Sequence, residues 1–298
     1  MLEKAGAVLG GSGSAPRQTT VGMRAILIAA SVLVLGVGFP LFLFPANTDV
    51  DFAWTVKPPI MAAALGASYL AANILEACAA SARVWVNARV VVPAVLIFTL
   101  LMLAITFVHI DRFHLFAGSS SARFVAWVWL AVYVIVPAIM SVVWFRQTLV
   151  RGSDLERVAP ICGILRVLWI GSGAILLLGG IYLMVAPTSA TAFWPWPLTP
   201  LTGRAVGAWL VGLGILSAQA GFEGDVVRLY PIFPAMTFFA ILHGIVLIRF
   251  HDALDWARPS VWLYALVLTG WFGIGLYNWI SFRRRQTNGL QLGSASSQ

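Results

Sequence analysis

The chain has 298 residues, of which 60% are apolar, 12% aromatic and 10% charged, with a mean hydropathy of +0.90 and a net charge of +8. So few charged groups exclude disorder, and they exclude an ordinary water-facing surface as well: the solvent for much of the chain is lipid. Of the 19 basic residues 17 are arginine, and most lie between hydrophobic runs, so the positive charge reads as membrane topology and not as a nucleic-acid footprint.

A hydrocarbon core about 30 Å thick needs about 20 apolar residues at a rise of about 1.5 Å each. Residues 1–21, which include Gly10, Gly11, Ser12, Gly13 and Ser14, read as a disordered cytoplasmic tail. Eight spans follow at 22–44, 60–80, 90–110, 122–145, 164–186, 203–221, 231–250 and 260–282. The first is longer than the apolar part of a secretory signal, and Phe44-Pro45-Ala46 spoils a small-x-small cleavage site, so it is retained as a helix. Residues 286–298 read as a second disordered tail. The two cysteines, Cys78 and Cys162, cannot form a disulfide framework and are expected reduced.

Counting Lys and Arg in alternate connections places 13 on the side of the termini and 6 on the other, so both termini are expected in the cytoplasm of a cell-membrane protein. The cluster Arg283-Arg284-Arg285 reads as a stop and lipid anchor.

The second half of the sequence overlays the first at an offset of 141 or 142. Arg24 meets Arg166, Gly38 meets Gly180, Pro45 meets Pro187 and Trp54 meets Trp196. After a one-residue slip Pro59 meets Pro200, Gly66 meets Gly207 and Pro93 meets Pro234, and His109 meets His251. A shorter loop then brings Trp127 to Trp262 and Trp144 to Trp279 at an offset of 135. Four helices per unit is an even number, so the expected class is an all-α integral membrane protein: eight transmembrane helices in two parallel four-helix repeats, related by a pseudo-two-fold axis along the membrane normal. The repeats are expected at 22–148 and 164–285, joined by a cytoplasmic linker at 149–163. Gly203-xxx-Gly207 and the other small residues of helices five and six read as close helix packing.

Chemistry is expected mainly on the outer side. The connection 44–54 and its partner 193–197 carry Trp54 and Trp196, which read either as an aromatic belt at headgroup level or as walls of a cavity on the pseudo-axis. All four histidines lie in helices three and seven or just beyond them. His109, Asp111 and His114 follow helix three, His251 follows helix seven, and His243 is the one deep imidazole. His109, His114 and His251 are candidate metal ligands; a structural, headgroup or proton-handling role is the other reading. Glu76 lies inside helix two near its cytoplasmic end. Snorkelling or pairing with Arg83 is the favoured account, a proton or cation path the other. Arg123 and Arg258 read as headgroup anchors or partners for Asp111 and Asp255.

Phosphate-loop, dinucleotide-binding, zinc-protease and nucleophile-elbow signatures are absent from the sequence, so no cofactor is assigned and whether the chain is an enzyme stays open. Three functions remain. The first is a transporter or binding protein for a small solute or lipid, with an outward-facing cavity between the repeats and with Trp54, Trp196, His109, His251, Asp111, His243 and Glu76 as candidate substrate-binding residues. The others are a non-catalytic membrane subunit or sensor with a membrane-protein partner, and a metal- or haem-binding redox protein.

Overall fold

A computed structural model describes residues 14–190 and 193–295 of the chain. It contains eight long helices: α1 Val21–Leu43, α2 Pro59–Ser81, α3 Val92–Val108, α4 Ser120–Thr148, α5 Gly163–Val185, α6 Pro200–Glu223, α7 Ile232–Arg249 and α8 Pro259–Ala295. Seven are long and apolar enough to cross a membrane, and α3 is a shorter apolar helix of 17 residues. Multi-pass membrane embedding follows from length and composition. Among the described residues there is no β-strand, only isolated bridges.

Local chemistry sets most helix starts. The side chain of Thr20 accepts from Met23 N, that of Ser119 accepts from Ala122 N, and Thr199 with Thr202 forms a reciprocal capping box. Proline occupies the first turn of α2, α3 and α6, where its missing N–H removes no helix hydrogen bond. Two expectations need correction. Residues 14–20 are not a disordered tail: Arg17 N donates to Ser153 O, Thr19 N donates to Arg83 O and Trp85 N donates to Arg17 O. Helix α8 runs on to Ala295 where a break near 282 and a disordered tail were expected. Residues 1–13 and 296–298 of the expected tails lie outside the described residues.

Hydrogen bonds sort the connections into two ends of the bundle. At the terminus-bearing end, residues 14–20, 82–91, 149–162 and 223–231 are joined to one another. At the far end, His114 Nδ1 bonds Phe52 O, Arg249 donates to Phe42 O and Arg204 reaches His109.

Helices α1 with α2 and α5 with α6 form the closest pairs, α3 packs on α4 and α7 on α8, and the first four helices meet the last four along α2·α7 and α3·α6. The same contacts recur in both halves. The Cα of Gly38 faces the backbone of Gly66, and 142 and 141 residues later Gly180 faces Gly207, each position leaving no space for a Cβ. One turn-pair further along, Ser31 and Asn73 hydrogen-bond where their counterparts Gly173 and Gly214 touch through the backbone. Arg24 Nε donates to Ala80 O at 2.9 Å, and Arg166 Nε donates to Gly221 O at 3.1 Å. Thr19 N→Arg83 O and Trp85 N→Arg17 O have counterparts in Ile161 N→Gly224 O and Val226 N→Ala159 O. In lipid, backbone approach of this kind replaces the hydrophobic drive. Not every glycine takes part, since Gly171 has nothing near its side and Gly179 only a distant leucine methyl.

Candidate functional site

The indoles of Trp54 and Trp196 are core residues, each about 1% exposed, and neither the belt nor the cavity-wall reading describes them. Trp54 packs between Phe52, at a centroid distance of 4.7 Å, and the edge-on ring of Trp129 at 4.8 Å. Trp196 packs between Trp194 at 5.9 Å and Tyr264 at 5.4 Å. Phe52, Trp54 and Trp129 align with Trp194, Trp196 and Tyr264 at the offsets read from the sequence. Each block tucks a connecting loop under the far end of its half, because rings of this size bury more apolar area inside the bundle than at its rim. Between the two loops lies a more polar cleft lined by Thr48, Asp49, Thr55, Lys57 and Thr199, which neither indole lines.

The far-end imidazoles go to separate partners. His109 Nε2 accepts from Arg204 Nη1 at 2.7 Å. His114 bonds Phe52 O through Nδ1 and the Thr55 hydroxyl through Nε2. The exposed His251 lies 3.0 Å from Asp252, and Asp111 pairs with Arg112. Arg258 does reach Asp255, at 3.2 Å, whereas Arg123 contacts Ser120 and not Asp111. His243 is buried, with Nδ1 on Phe239 O and Nε2 on Ser68 Oγ, tying α7 to α2. Among the described residues no three His, Cys, Asp or Glu side chains gather as a metal site would require.

Burial, and then the Arg204 cation, lower the His109 pKa from its ordinary 6.5. The unfolded chain therefore takes up the proton first as pH falls. The stability held by neutral His109 is present above about 6.5 and is lost as pH drops from there through the lowered folded value. Thermal unfolding between about pH 7.5 and 5 should show this loss, and His109→Gln should remove that part of the pH dependence.

Glu76 neither snorkels nor pairs with Arg83. It is the eighteenth of the 23 residues of α2, about five residues or 8 Å from the helix end, and 3% exposed. Its Oε2 is fully buried without a hydrogen-bond partner. Two physical reasons account for this: Arg83 lies past the end of the helix in the connection, and the carboxylate sits on the face of α2 turned into the bundle. There it borders a small apolar cavity of ≈ 80 Å³ formed by α1, α2, α3, α4 and α6, with Ala72, Leu75, Phe98, Tyr133 and Trp209 among its walls. The Tyr133 hydroxyl is held by Tyr69 at 2.9 Å, while Trp209 Nε1 is another buried group without a partner. Of the seven residues expected to form a substrate site, only Glu76 lines this cavity. Phe98, Tyr133 and Trp209 were missed because single aromatic residues inside apolar helices carry no signal of which face they occupy.

A second cluster was also missed, having been read only as topological charge. Glu223, at the end of α6, is clasped by both Arg89, with Nη2 to Oε2 at 2.9 Å, and Arg228, at 3.1 Å. Arg89 also pairs with Asp154, Arg228 donates to Leu155 O, and Arg157 donates to Glu223 O. Asp225 accepts from Ala159 N and from Val227 N. These bonds fasten the connection 149–162 across the bundle end, and the Glu223 carboxylate raises the Arg89 pKa. Glu223→Gln should lower unfolding stability by about 2 to 3 kcal/mol, because the buried Arg228 then loses its carboxylate partner and Arg89 keeps only Asp154. Denaturant titration in detergent measures it; a loss below about 0.5 kcal/mol would mean that water solvates the cluster.

No protein-family model, no curated protein and no solved structure matches this chain.

Proposed function

We propose that the protein binds, and carries across the bilayer, a small amphiphilic solute or lipid-like molecule that enters the cavity beside Glu76. One observation carries this reading: a carboxylate sits in an apolar cavity within the membrane, with a buried oxygen that nothing in the protein satisfies. A charge in that place is costly and is retained where a substrate or ion uses it.

The chain in this proposal is a tandem duplicate of a four-helix unit, with the arginine-rich, terminus-bearing end in the cytoplasm. The recurring glycine, arginine and backbone contacts at one offset support the duplication. So does the exchange of partners between halves, in which α2 meets α7 as α6 meets α3. The cavity lies where α6 of the second unit closes on the first, so a rocking of the units along α2·α7 and α3·α6 would alter its access. This places the site deeper than an outward-facing cleft between the loops.

Ala72→Leu tests the reading by filling the cavity with an apolar side chain. In proteoliposomes the wild type should take up at least one member of a panel of small amphiphiles, and Ala72→Leu, with an unchanged melting temperature, should not. Equal uptake by both proteins for the whole panel would remove the cavity from the function.

A further inference from the structure

We infer that the molecule taken into this cavity is an organic cation: one ammonium-like positive charge on a slender apolar body. The inference rests on the cavity reading above and adds the charge of the ligand.

The cavity wall carries a single acidic group and no basic one. Glu76 faces neither Lys, Arg nor His across it, and its Oε2 is an acceptor without a donor. An ionised carboxylate surrounded by alanine, leucine and valine side chains is stabilised chiefly by a counter-charge brought close to it. A metal cation does not suit the remaining donors. Apart from Glu76 the wall offers two hydroxyls, Thr99 and Tyr133, one donating to Leu96 O and the other bonded to Tyr69, whereas hard cations take six or more oxygens.

An ammonium group suits it better. It brings a counter-charge to the Glu76 carboxylate, and Phe98, Tyr133 and Trp209 line the same space, where aromatic rings attract a desolvated cation. Phe98 lies 4.3 Å from Trp209 and 6.4 Å from Tyr133 between ring centroids, so the three form one continuous aromatic wall. Ala30, Leu33, Ala94 and Leu213 line the cavity as well, and they would receive an alkyl or aryl body.

The test uses three probes that share one tail: octylammonium, octanol and octanoate. Each is bound to the full chain in nanodiscs of zwitterionic lipid, with empty nanodiscs and Ala72→Leu as backgrounds. Octylammonium should bind the wild type above both backgrounds and at least ten-fold more tightly than octanol, with octanoate weakest. Glu76→Gln, which removes the charge but keeps the shape, should abolish that preference. If octanol or octanoate binds as well as octylammonium and Glu76→Gln changes nothing, the cationic assignment is overturned while the cavity remains a site. If no probe exceeds the Ala72→Leu background, both the assignment and the cavity reading fall. A melting temperature for each variant separates loss of binding from loss of fold.

Discussion

Gly66→Ala and Gly207→Ala should each destabilise the bundle by about 3 kcal/mol or more, although alanine is the better helix former. A Cβ on Gly66 would collide with the Phe42 backbone nitrogen, and one on Gly207 would stand 2.7 Å from the Gly180 carbonyl oxygen. The obstacle in both cases is backbone, which cannot swing aside as a side chain can, so α1 must part from α2, or α5 from α6, along their whole shared length. Gly36→Ala is the control. It lies in α1, it has nothing within 4 Å, and its substitution should be neutral or stabilising by up to about 1 kcal/mol. Unfolding titrations in detergent would report all three. Comparable losses at Gly66 and Gly207 would also support equivalent roles in a duplicated unit, and a loss at only one of them would count against it.

The second large effect is expected from Trp54→Ala and Trp196→Ala, at about 3 to 5 kcal/mol each. Both rings are enclosed, and removal leaves a cavity among aromatic neighbours that are themselves held by helix ends. The milder change to phenylalanine separates them. Trp54 Nε1 is buried without a partner, so Trp54→Phe removes a desolvation cost together with the indole. Trp196 Nε1 donates to Met61 Sδ at 3.2 Å, so Trp196→Phe loses a weak bond and should cost more. Trp127, about half exposed on α4, serves as the reference, and Trp127→Ala should fall within about 1 kcal/mol. If Trp54→Ala proved as mild as Trp127→Ala, the loop before α2 would not be pinned by its indole.

Much of the helical plan was legible because lipid solvation demands long apolar runs, and caps and prolines mark their ends. The predicted spans 22–44 and 164–186 differ from α1 and α5 by a single residue at each end. Where the pattern failed, the competing force was local. The continuation of α8 past residue 282 carries no hydrophobic stripe to announce it, and residues 14–20 are ordered by backbone bonds to segments distant in sequence. The deep histidine was identified by its place in the span, but its engagement with Ser68 was not, since that contact joins helices 175 residues apart.

The candidate site divides in the same way. Position in α2 marked Glu76 as a carboxylate within the bilayer, yet its rotation about the helix axis decides between a headgroup partner and a cavity. Trp54 and Trp196 were recognised as a matched pair and placed on the wrong surface, because an indole near a span end suits an interface and a core equally well.

The order of amino acids by itself determined that lipid is the solvent and where most of the long apolar helices lie. These are properties of local hydropathy and capping. Only the tertiary structure decided which face of each helix turns inward, that Glu76 borders a cavity without a protein partner, and that Glu223 gathers arginines from distant connections. The physical reason is that in an apolar medium nearly every face of a helix is equally hydrophobic. Orientation is then set by backbone approach at a few small residues and by scarce polar contacts, and these exist only once the helices have met.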